Sequence, residues 1–301
     1  MTTSTTSKQS RSLALDPKTL QSLGGLEIIA RHVVDGVLQG MHRSPHVGFA
    51  MDFAHHRPYS PGDDVRRIDW RAFARSERFY LKQHEVSTNL RAHILLDSSG
   101  SMAYCGEGDG VSKFRYAQML AASLAYLIIR QKDSVGLMTF DSRMREEVAP
   151  SSVSSQLVRV IGTLEKVTPR NESRIAPLLH EVAGSIRSRG MMIILSDLFD
   201  DTASLVNALH HLRRKGHDVL LLQVLAQDEL EFPFRTWTTF ESMEDARDFR
   251  RMDPALVRST YLANLKAHLG TIRDAVRKLD IRYAMVKTSQ ALDAALAEVL
   301  G

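Results

Sequence analysis

Short apolar stretches alternate with longer amphipathic ones along the chain from residue 92 to residue 300. The short stretches are bounded by Gly, Ser and Asp, which is typical of buried β-strands. The longer segments repeat apolar residues three and four positions apart, as amphipathic helices do. The predicted strands are 92–97, 135–140, 191–196, 219–225 and 281–286, and the predicted helices are 112–131, 152–165, 175–188, 202–214, 253–278 and 291–300.

This alternation predicts a doubly wound α/β fold. Strands that alternate with helices form parallel sheets, and near-continuous apolar strands indicate that helices cover both faces. Residues 144–148 are expected to add a short antiparallel strand. We therefore expect a mostly parallel, Rossmann-like sheet as the core of the protein.

The chain that precedes the sheet has a different composition. It opens with a Ser- and Thr-rich stretch, expected to be disordered, and Asp16-Pro17 then predicts a helix that runs to about Gln39. An irregular segment follows, with a short strand at 79–81, and is expected to pack on the sheet. The expected divisions are a tail at 1–15, an N-terminal scaffold at 16–90 and an α/β domain at 91–301 with an insert, hairpin or irregular, at about 228–252.

The end of the first predicted strand carries the chain's most informative chemistry, in the stretch Asp97-Ser98-Ser99-Gly100-Ser101. Alternate residues of an extended segment point the same way, so the carboxylate and two of the hydroxyls can converge on one point. The carboxyl ends of parallel strands are where open α/β sheets bind ligands. Hard oxygen ligands of this kind suit Mg²⁺, and Mn²⁺ or Ca²⁺ would also be accepted.

A second Asp ends the strand 191–196, and a polar loop at 169–175 lies between the two Asp positions in sequence. This arrangement resembles the metal-ion-dependent adhesion site of von Willebrand factor A-type domains, which reads D-x-S-x-S, then a Thr, then an Asp. The resemblance places Ser173 at the Thr position, although Asn171 and Glu172 stand where the family has glycines. It implies five metal ligands: Asp97, Ser99, Ser101, Ser173 and Asp197.

A longer motif, Arg-Pro-Tyr-Ser-Pro-Gly-Asp-Asp-Val-Arg-Arg-Ile-Asp-Trp at 57–70, resembles the signature of a bacterial family catalogued as domain of unknown function fifty-eight. The segments 231–234 and 253–261 are similar to later parts of that family. Its members carry an A-type domain and are often associated with MoxR-type AAA+ ATPases. The resemblance implies a bacterial adaptor for such an ATPase.

These residues are compatible with three functions. The favoured one is a non-enzymatic module in which the bound metal accepts a Glu or Asp side chain from a protein partner. The first alternative is a structural scaffold with an empty site. The second is a metal-dependent hydrolase or phosphatase, which is disfavoured because Ser99 stands where aspartyl-phosphate chemistry needs a second Asp. No His or Lys is tied to the site by its spacing, and there is no P-loop or G-x-S-x-G motif.

The composition of the chain indicates which partners and which cellular compartment to expect. Lys and Arg number 39 against 35 Asp and Glu, and because the two signs are interleaved we expect no nucleic-acid partner. The single cysteine, Cys105, excludes an intramolecular disulfide and fits a reducing compartment, so a cytoplasmic location is expected. No apolar stretch approaches the roughly twenty residues of a membrane helix, and the start of the chain lacks the apolar core of a secretory signal.

Other polar groups are assigned structural roles. The charged cluster at 63–70 is expected to be an internal ion-pair network rather than a docking surface. Asp141, at the end of the second strand, is expected to be a surface or turn residue rather than a metal ligand. The histidines at 42, 46, 55 and 56 match no familiar zinc spacing.

Overall fold

A six-stranded β-sheet lies at the centre of the protein. The structure is a computed structural model, and it describes residues 17, 25–41, 57–58, 80–81, 90–107, 110–172, 174–241, 243 and 249–300. The central strands are β3 (Arg91–Asp97), β4 (Ser134–Phe140), β5 (Met144–Ser151), β6 (Met191–Ser196), β7 (Asp218–Leu225) and β10 (Arg282–Lys287). The helices are α1 (Leu26–Met41), α2 (Lys113–Arg130), α3 (Ser155–Lys166), α4 (Ile175–Ser185), α5 (Thr202–Arg214), α6 (Gln227–Glu231), α7 (Pro254–Lys278) and α8 (Leu292–Leu300).

The strand order in the sheet is β10-β7-β6-β3-β4-β5. All neighbours are parallel except β5, which runs antiparallel to β4. This confirms the predicted mostly parallel α/β fold. After β3 the chain moves outward to β4 and then returns to the other side of β3 to form β6. The topological switch point, where such sheets bind ligands, therefore lies between the carboxyl ends of β3 and β6.

Alternate residues of each strand enter the two faces of the sheet. Ile94 and Leu96 of β3 belong to the apolar core under α1, α2, α3 and α8, whereas Leu95 belongs to the core under α4, α5 and α7. Side chains alternate in this way because the strand has a period of two residues. Both faces are buried, which explains why the sequence shows nearly continuous apolar strands.

Helix α2 is the central helix of its layer, and most of its residues are buried. Its N-terminus is fixed by Ser112, whose side chain accepts a hydrogen bond from the Arg115 backbone N–H at 3.1 Å. The first residue of the helix, Lys113, is buried as well. The cap and the packing together place this lysine at the carboxyl end of the parallel strands, next to Asp197.

The helix predicted from Asp16 is interrupted at Gly25. Pro17 is described as helical, but Gly25 is a bend and α1 starts at Leu26, so one continuous helix from Asp16 is wrong. Glycine is unfavourable inside a helix, which accounts for an interruption at this point. Helix α1 buries Leu26, Ile29 and Val33 in the same core as α2.

Two small hairpin-like pairs complete the described structure. Strands β1 (Arg57–Pro58) and β2 (Tyr80–Leu81) pair antiparallel, in agreement with the short strand expected at 79–81. Strands β8 (Thr238–Glu241) and β9 (Phe249–Met252) form an antiparallel hairpin within the expected insert. The tail at 1–15, the charged cluster at 63–70 and the four histidines considered for zinc lie outside the described residues.

An aromatic cluster holds the start of the insert against α7. Phe232 stacks on Phe240 and meets Phe234 edge to face, and its ring centroid lies 4.9 Å from that of Tyr261. Phe232 also ends α6 in a left-handed conformation, with φ 47°. The cluster fixes the direction in which the chain leaves the sheet edge.

Candidate metal centre

The two aspartates of the predicted site lie on neighbouring strands at the switch point. Asp97 is the last residue of β3, and Asp197 directly follows β6, which pairs with β3 in parallel. Both side chains are fully buried. The structure therefore brings together the two carboxylates that are farthest apart in the motif.

The loop after β3 places two hydroxyl groups beside each other. The Oγ atoms of Ser99 and Ser101 are 3.2 Å apart. Adjacent oxygen ligands of an octahedral Mg²⁺, each about 2.1 Å from the ion, are separated by about 3 Å. The spacing of this hydroxyl pair therefore suits two neighbouring coordination positions.

Hydrogen bonds hold the Asp97 carboxylate at the base of this loop. Its Oδ1 accepts from the Ser99 backbone N–H at 2.9 Å, and its Oδ2 accepts from the Ser196 hydroxyl at 2.6 Å. The first bond closes the turn, and the second ties β3 to the end of β6. Asp97 thus fixes the loop that carries both serines.

Gly100 is required by a close backbone approach. A Cβ atom at this position would lie 2.1 Å from the Met243 carbonyl oxygen, in the segment that follows β8. Real Cβ contacts are never this short, so a side chain here would force the segment away. The insert therefore passes directly over the loop at 97–101.

Two backbone hydrogen bonds join the loop at 97–101 to the polar loop before α4. The Gly100 N–H donates to the Asn171 carbonyl at 2.7 Å, and the Arg170 N–H donates to the Ser98 carbonyl at 2.9 Å. The fifth predicted ligand, Ser173, lies outside the described residues. The residues on either side of Ser173 belong to the polar loop that is bonded to the loop at 97–101. The role of Ser173 as a metal ligand stays a prediction.

Asp141 braces this polar loop and is not a surface residue. Its side chain is fully buried and accepts hydrogen bonds from Arg145 Nε at 2.5 Å and Asn171 Nδ2 at 2.7 Å. Burial alone would raise the pKa of Asp141, but these hydrogen bonds outweigh burial and lower it. The expected turn position is correct, whereas the expected exposure is wrong. The side chain of Asp141 thereby holds Asn171, whose backbone is in a left-handed conformation with φ 62°.

A buried lysine, which the sequence did not reveal, completes the polar centre. Lys113 Nζ lies 2.8 Å from Asp197 Oδ2 and 2.6 Å from Glu229 Oε1, and its side chain is 1% exposed. No spacing in the sequence ties Lys113 to the site, and tertiary packing alone brings it there. One signal was present: a positive charge on the first residue of a helix opposes the helix dipole and needs nearby acids.

Glu229 is itself held in place. It lies on α6, and its Oε2 accepts a hydrogen bond from the Ala226 backbone N–H at 2.7 Å. Burial raises the pKa of Glu229 above its usual range, although Lys113 opposes this shift. Glu229 is a fixed acidic group at the entrance to the insert.

Electrostatics at the centre favour added positive charge. Burial, followed by repulsion from Asp197, raises the pKa of Asp97 to about 7, and the hydrogen bonds from Ser196 and Ser99 only partly offset this. Burial alone would lower the pKa of Lys113, but Asp197 and Glu229 outweigh it and raise that pKa. Asp197 and the partly buried Glu229 share the Lys113 ammonium group, and the buried Asp97 lies close to Asp197. A cation beside Asp97 and Asp197 would reduce the repulsion between them.

Exposed apolar side chains flank this polar centre. Phe199, two residues past Asp197, is 38% exposed, and Lys113 Nζ lies 5.2 Å from the centroid of its ring. Met243, whose carbonyl covers Gly100, is 46% exposed. Large exposed apolar residues beside a polar centre are typical of interaction surfaces.

Other metal sites and membrane-spanning helices are absent from the part of the chain that the structure describes. Within it, no group of three or more His, Cys, Asp and Glu side chains is arranged to hold a metal ion. The candidate centre instead combines two carboxylates with hydroxyl groups. Every helix that the structure describes is too short or too polar to span a lipid bilayer.

The fold and the site define a doubly wound α/β protein with an oxygen-rich centre at its switch point. The model of the family described as "Protein of unknown function DUF58" matches residues 55–270. The chain belongs to this family, which confirms the family resemblance of the motif at 57–70.

The relatives and solved structures that resemble this chain are distant. It is 27% identical over 274 residues to uncharacterized protein Rv1480 of Mycobacterium tuberculosis, covering 87% of this chain and 82% of that protein. Conserved hypothetical protein BatB from Bacteroides thetaiotaomicron is 16% identical with a TM-score of 0.48, covering 70% of this chain and 97% of that one. The SpRpn10 VWA domain is 12% identical with a TM-score of 0.41, covering 69% and 93%.

Proposed function

We propose that this protein is a non-enzymatic protein-binding module whose binding depends on a divalent cation. Mg²⁺ is the first candidate, and Mn²⁺ or Ca²⁺ would fit the same oxygen ligands. The proposed ligands, some of them acting through water, are Asp97, Ser99, Ser101, Ser173 and Asp197.

The observation that carries this proposal is the pair of serine hydroxyls 3.2 Å apart beside two buried carboxylates. The donor set consists of hard oxygens and contains only two carboxylates, so a bound Mg²⁺ would keep water-filled positions. Burial, followed by repulsion from Asp197, raises the pKa of Asp97, and a cation bound beside both carboxylates would oppose that repulsion. The residues present therefore fit a divalent cation.

A protein partner would occupy one of the remaining coordination positions with a Glu or Asp side chain. Phe199 and Met243 would contact apolar groups around that carboxylate. Because of the family resemblance carried by residues 57–70, we propose a MoxR-type AAA+ ATPase as the partner, with this chain as its cytoplasmic adaptor or substrate recruiter.

The geometry favours binding over hydrolysis. Ser99 takes the position where a phosphatase of the aspartyl-phosphate type would need a second acid. Lys113, the one ammonium group found at this centre among the described residues, is held by two carboxylates at 2.8 and 2.6 Å. A lysine fixed in this way has little freedom to protonate a leaving group.

Calorimetric titration with MgCl₂ and MnCl₂ tests the metal site. We expect the wild type to bind either ion and the Asp97→Ala variant to lose binding, with an unchanged far-UV circular dichroism spectrum. Asp274→Ala is the matched control, because Asp274 is a 65% exposed residue of α7. Wild-type protein that binds neither ion would support the scaffold alternative instead.

Capture of a MoxR-type AAA+ ATPase from the same genome tests the partner. We expect capture by immobilised wild type in Mg²⁺, loss of capture in EDTA and loss of capture with Asp97→Ala. Equal capture by wild type and Asp97→Ala would refute a metal-mediated contact. Metal binding without capture would remove the ATPase from the proposal and leave the metal site in place.

A further inference from the structure

The Lys113 ammonium group is bound to the carboxylate of Asp197, which is one of the proposed metal ligands. Its ammonium group contacts Asp197 Oδ2, while Asp197 Oδ1 accepts a hydrogen bond from the Phe199 backbone N–H at 3.3 Å. Both carboxylate oxygens of Asp197 are therefore engaged by the protein itself. A divalent cation that coordinates Oδ2 directly would compete with the ammonium group for this oxygen.

Glu229 offers the ammonium group a second, independent carboxylate. Its Oε1 is 2.6 Å from Lys113 Nζ, and its other oxygen is anchored by the Ala226 backbone N–H. Lys113 could thus leave Asp197 without becoming an unpaired buried charge, which would be strongly unfavourable. The lysine stem is flexible and its ammonium has three donors, so a short movement toward Glu229 keeps it hydrogen-bonded.

The surroundings of Lys113 leave few other places for the charge. The side chain is 1% exposed, and the rings of Phe199 and Tyr104 lie 5.2 and 6.0 Å from Nζ. Lys113 also begins α2, where the helix dipole disfavours a positive charge. Asp197 and Glu229 are the two acids that retain it.

We propose that Lys113 is an internal counter-cation that neutralises Asp197 when no metal is bound and is handed over to Glu229 when a divalent cation enters. This inference rests on the metal site proposed above. It makes Lys113 a residue that weakens metal affinity, because entry of the ion must break one buried ion pair. It makes Glu229 a residue that strengthens metal affinity without coordinating the ion.

Calorimetric titration of the full chain with MgCl₂ and MnCl₂, after removal of metal with EDTA, tests the handover. We expect Lys113→Met to lower Kd by at least about tenfold and Glu229→Gln to raise it by about tenfold. Lys215→Met is the matched control, since Lys215 is an exposed lysine at the end of α5, and its Kd should equal that of the wild type.

The double variant Lys113→Met/Glu229→Gln separates handover from simple addition of charges. If Glu229 acts by receiving the ammonium group, Glu229→Gln should change Kd far less in the Lys113→Met background than in the wild type. An equal change in both backgrounds would overturn the handover. If Lys113→Met does not fold, as judged by circular dichroism, Lys113→Gln replaces it in the same double-variant comparison, and an unchanged affinity in Glu229→Gln overturns the proposal by itself.

The same titrations distinguish failure of this inference from failure of the metal site. Binding by the wild type with no gain of affinity in folded Lys113→Met overturns only the role of Lys113. Binding by Lys113→Met with none detected in the wild type supports both the site and the proposed competition. No binding by the wild type or by any variant overturns the metal site and the handover together.

Discussion

Replacing Asp97 with Asn should stabilise the metal-free protein at neutral and alkaline pH. The pKa of Asp97 is raised from 3.8 to about 7 in the folded state, because the carboxylate is buried close to Asp197. The folded state therefore keeps a proton that the unfolded state has already released. For a carboxyl group shifted in this direction, stability is lost as pH rises from about 4 to about 7.

The size of this effect follows from the pKa shift. Each pKa unit corresponds to about 1.4 kcal/mol, so a shift of about three units amounts to on the order of 4 kcal/mol by pH 8. Asn has the same shape, can accept from the Ser99 N–H and can donate to the Ser196 hydroxyl. Asp97→Asn should therefore gain free energy of unfolding relative to wild type as pH rises, by an amount of that order.

Urea unfolding in EDTA at pH 4, 5, 6, 7 and 8, followed by circular dichroism, measures this difference. The difference between variant and wild type isolates Asp97 from the other titrating groups. Asp274→Asn, on an exposed helix face, should follow the wild type at every pH. A difference between Asp97→Asn and wild type that is constant across the pH range would refute the reasoning. At pH 8, added Mg²⁺ should stabilise the wild type but not Asp97→Asn.

Three further predictions concern the surroundings of the site. Lys113→Met should destabilise the metal-free protein by about 3–5 kcal/mol, because it removes the cation that pairs with Asp197 and Glu229. The control Lys215→Met should change stability by less than about 0.5 kcal/mol, and equal urea midpoints for the two variants would contradict this prediction. Gly100→Ala should lower the melting temperature and abolish Mg²⁺ binding, since its Cβ would meet the Met243 carbonyl, and an unchanged melting curve would show that the contact is absent. Phe199→Ala should weaken partner capture with Mg²⁺ affinity retained, and undiminished capture would exclude Phe199 from the interface.

The sheet could be predicted from sequence because each strand is a continuous apolar run that ends in turn-forming polar residues. The strand predicted at 92–97 is observed as Arg91–Asp97, and that predicted at 191–196 as Met191–Ser196. The position of Asp97 and Asp197 at one edge follows from parallel pairing alone. Local pattern thus places the two carboxylates on the same side of the molecule.

The rest of the centre depends on contacts between residues far apart in sequence. Lys113 is 84 residues from Asp197 and 116 from Glu229, and no local pattern links them. Asp141 is expected at the surface because the sequence does not show that Arg145 and Asn171 converge on it. Buried ion pairs are settled by tertiary packing, and for that reason the sequence pattern placed the two aspartates at one edge of the sheet but missed the lysine.

Anomalous diffraction from crystals of the full chain grown with MnCl₂ would test the metal site and the position of Lys113 together. We expect a manganese peak within coordination distance of the Ser99 and Ser101 hydroxyls, next to Asp97 and Asp197, with the Lys113 ammonium displaced toward Glu229. A peak there with Lys113 still on Asp197 would keep the site and refute the handover. Absence of a peak at the two serines in well-ordered crystals would contradict the proposed metal site.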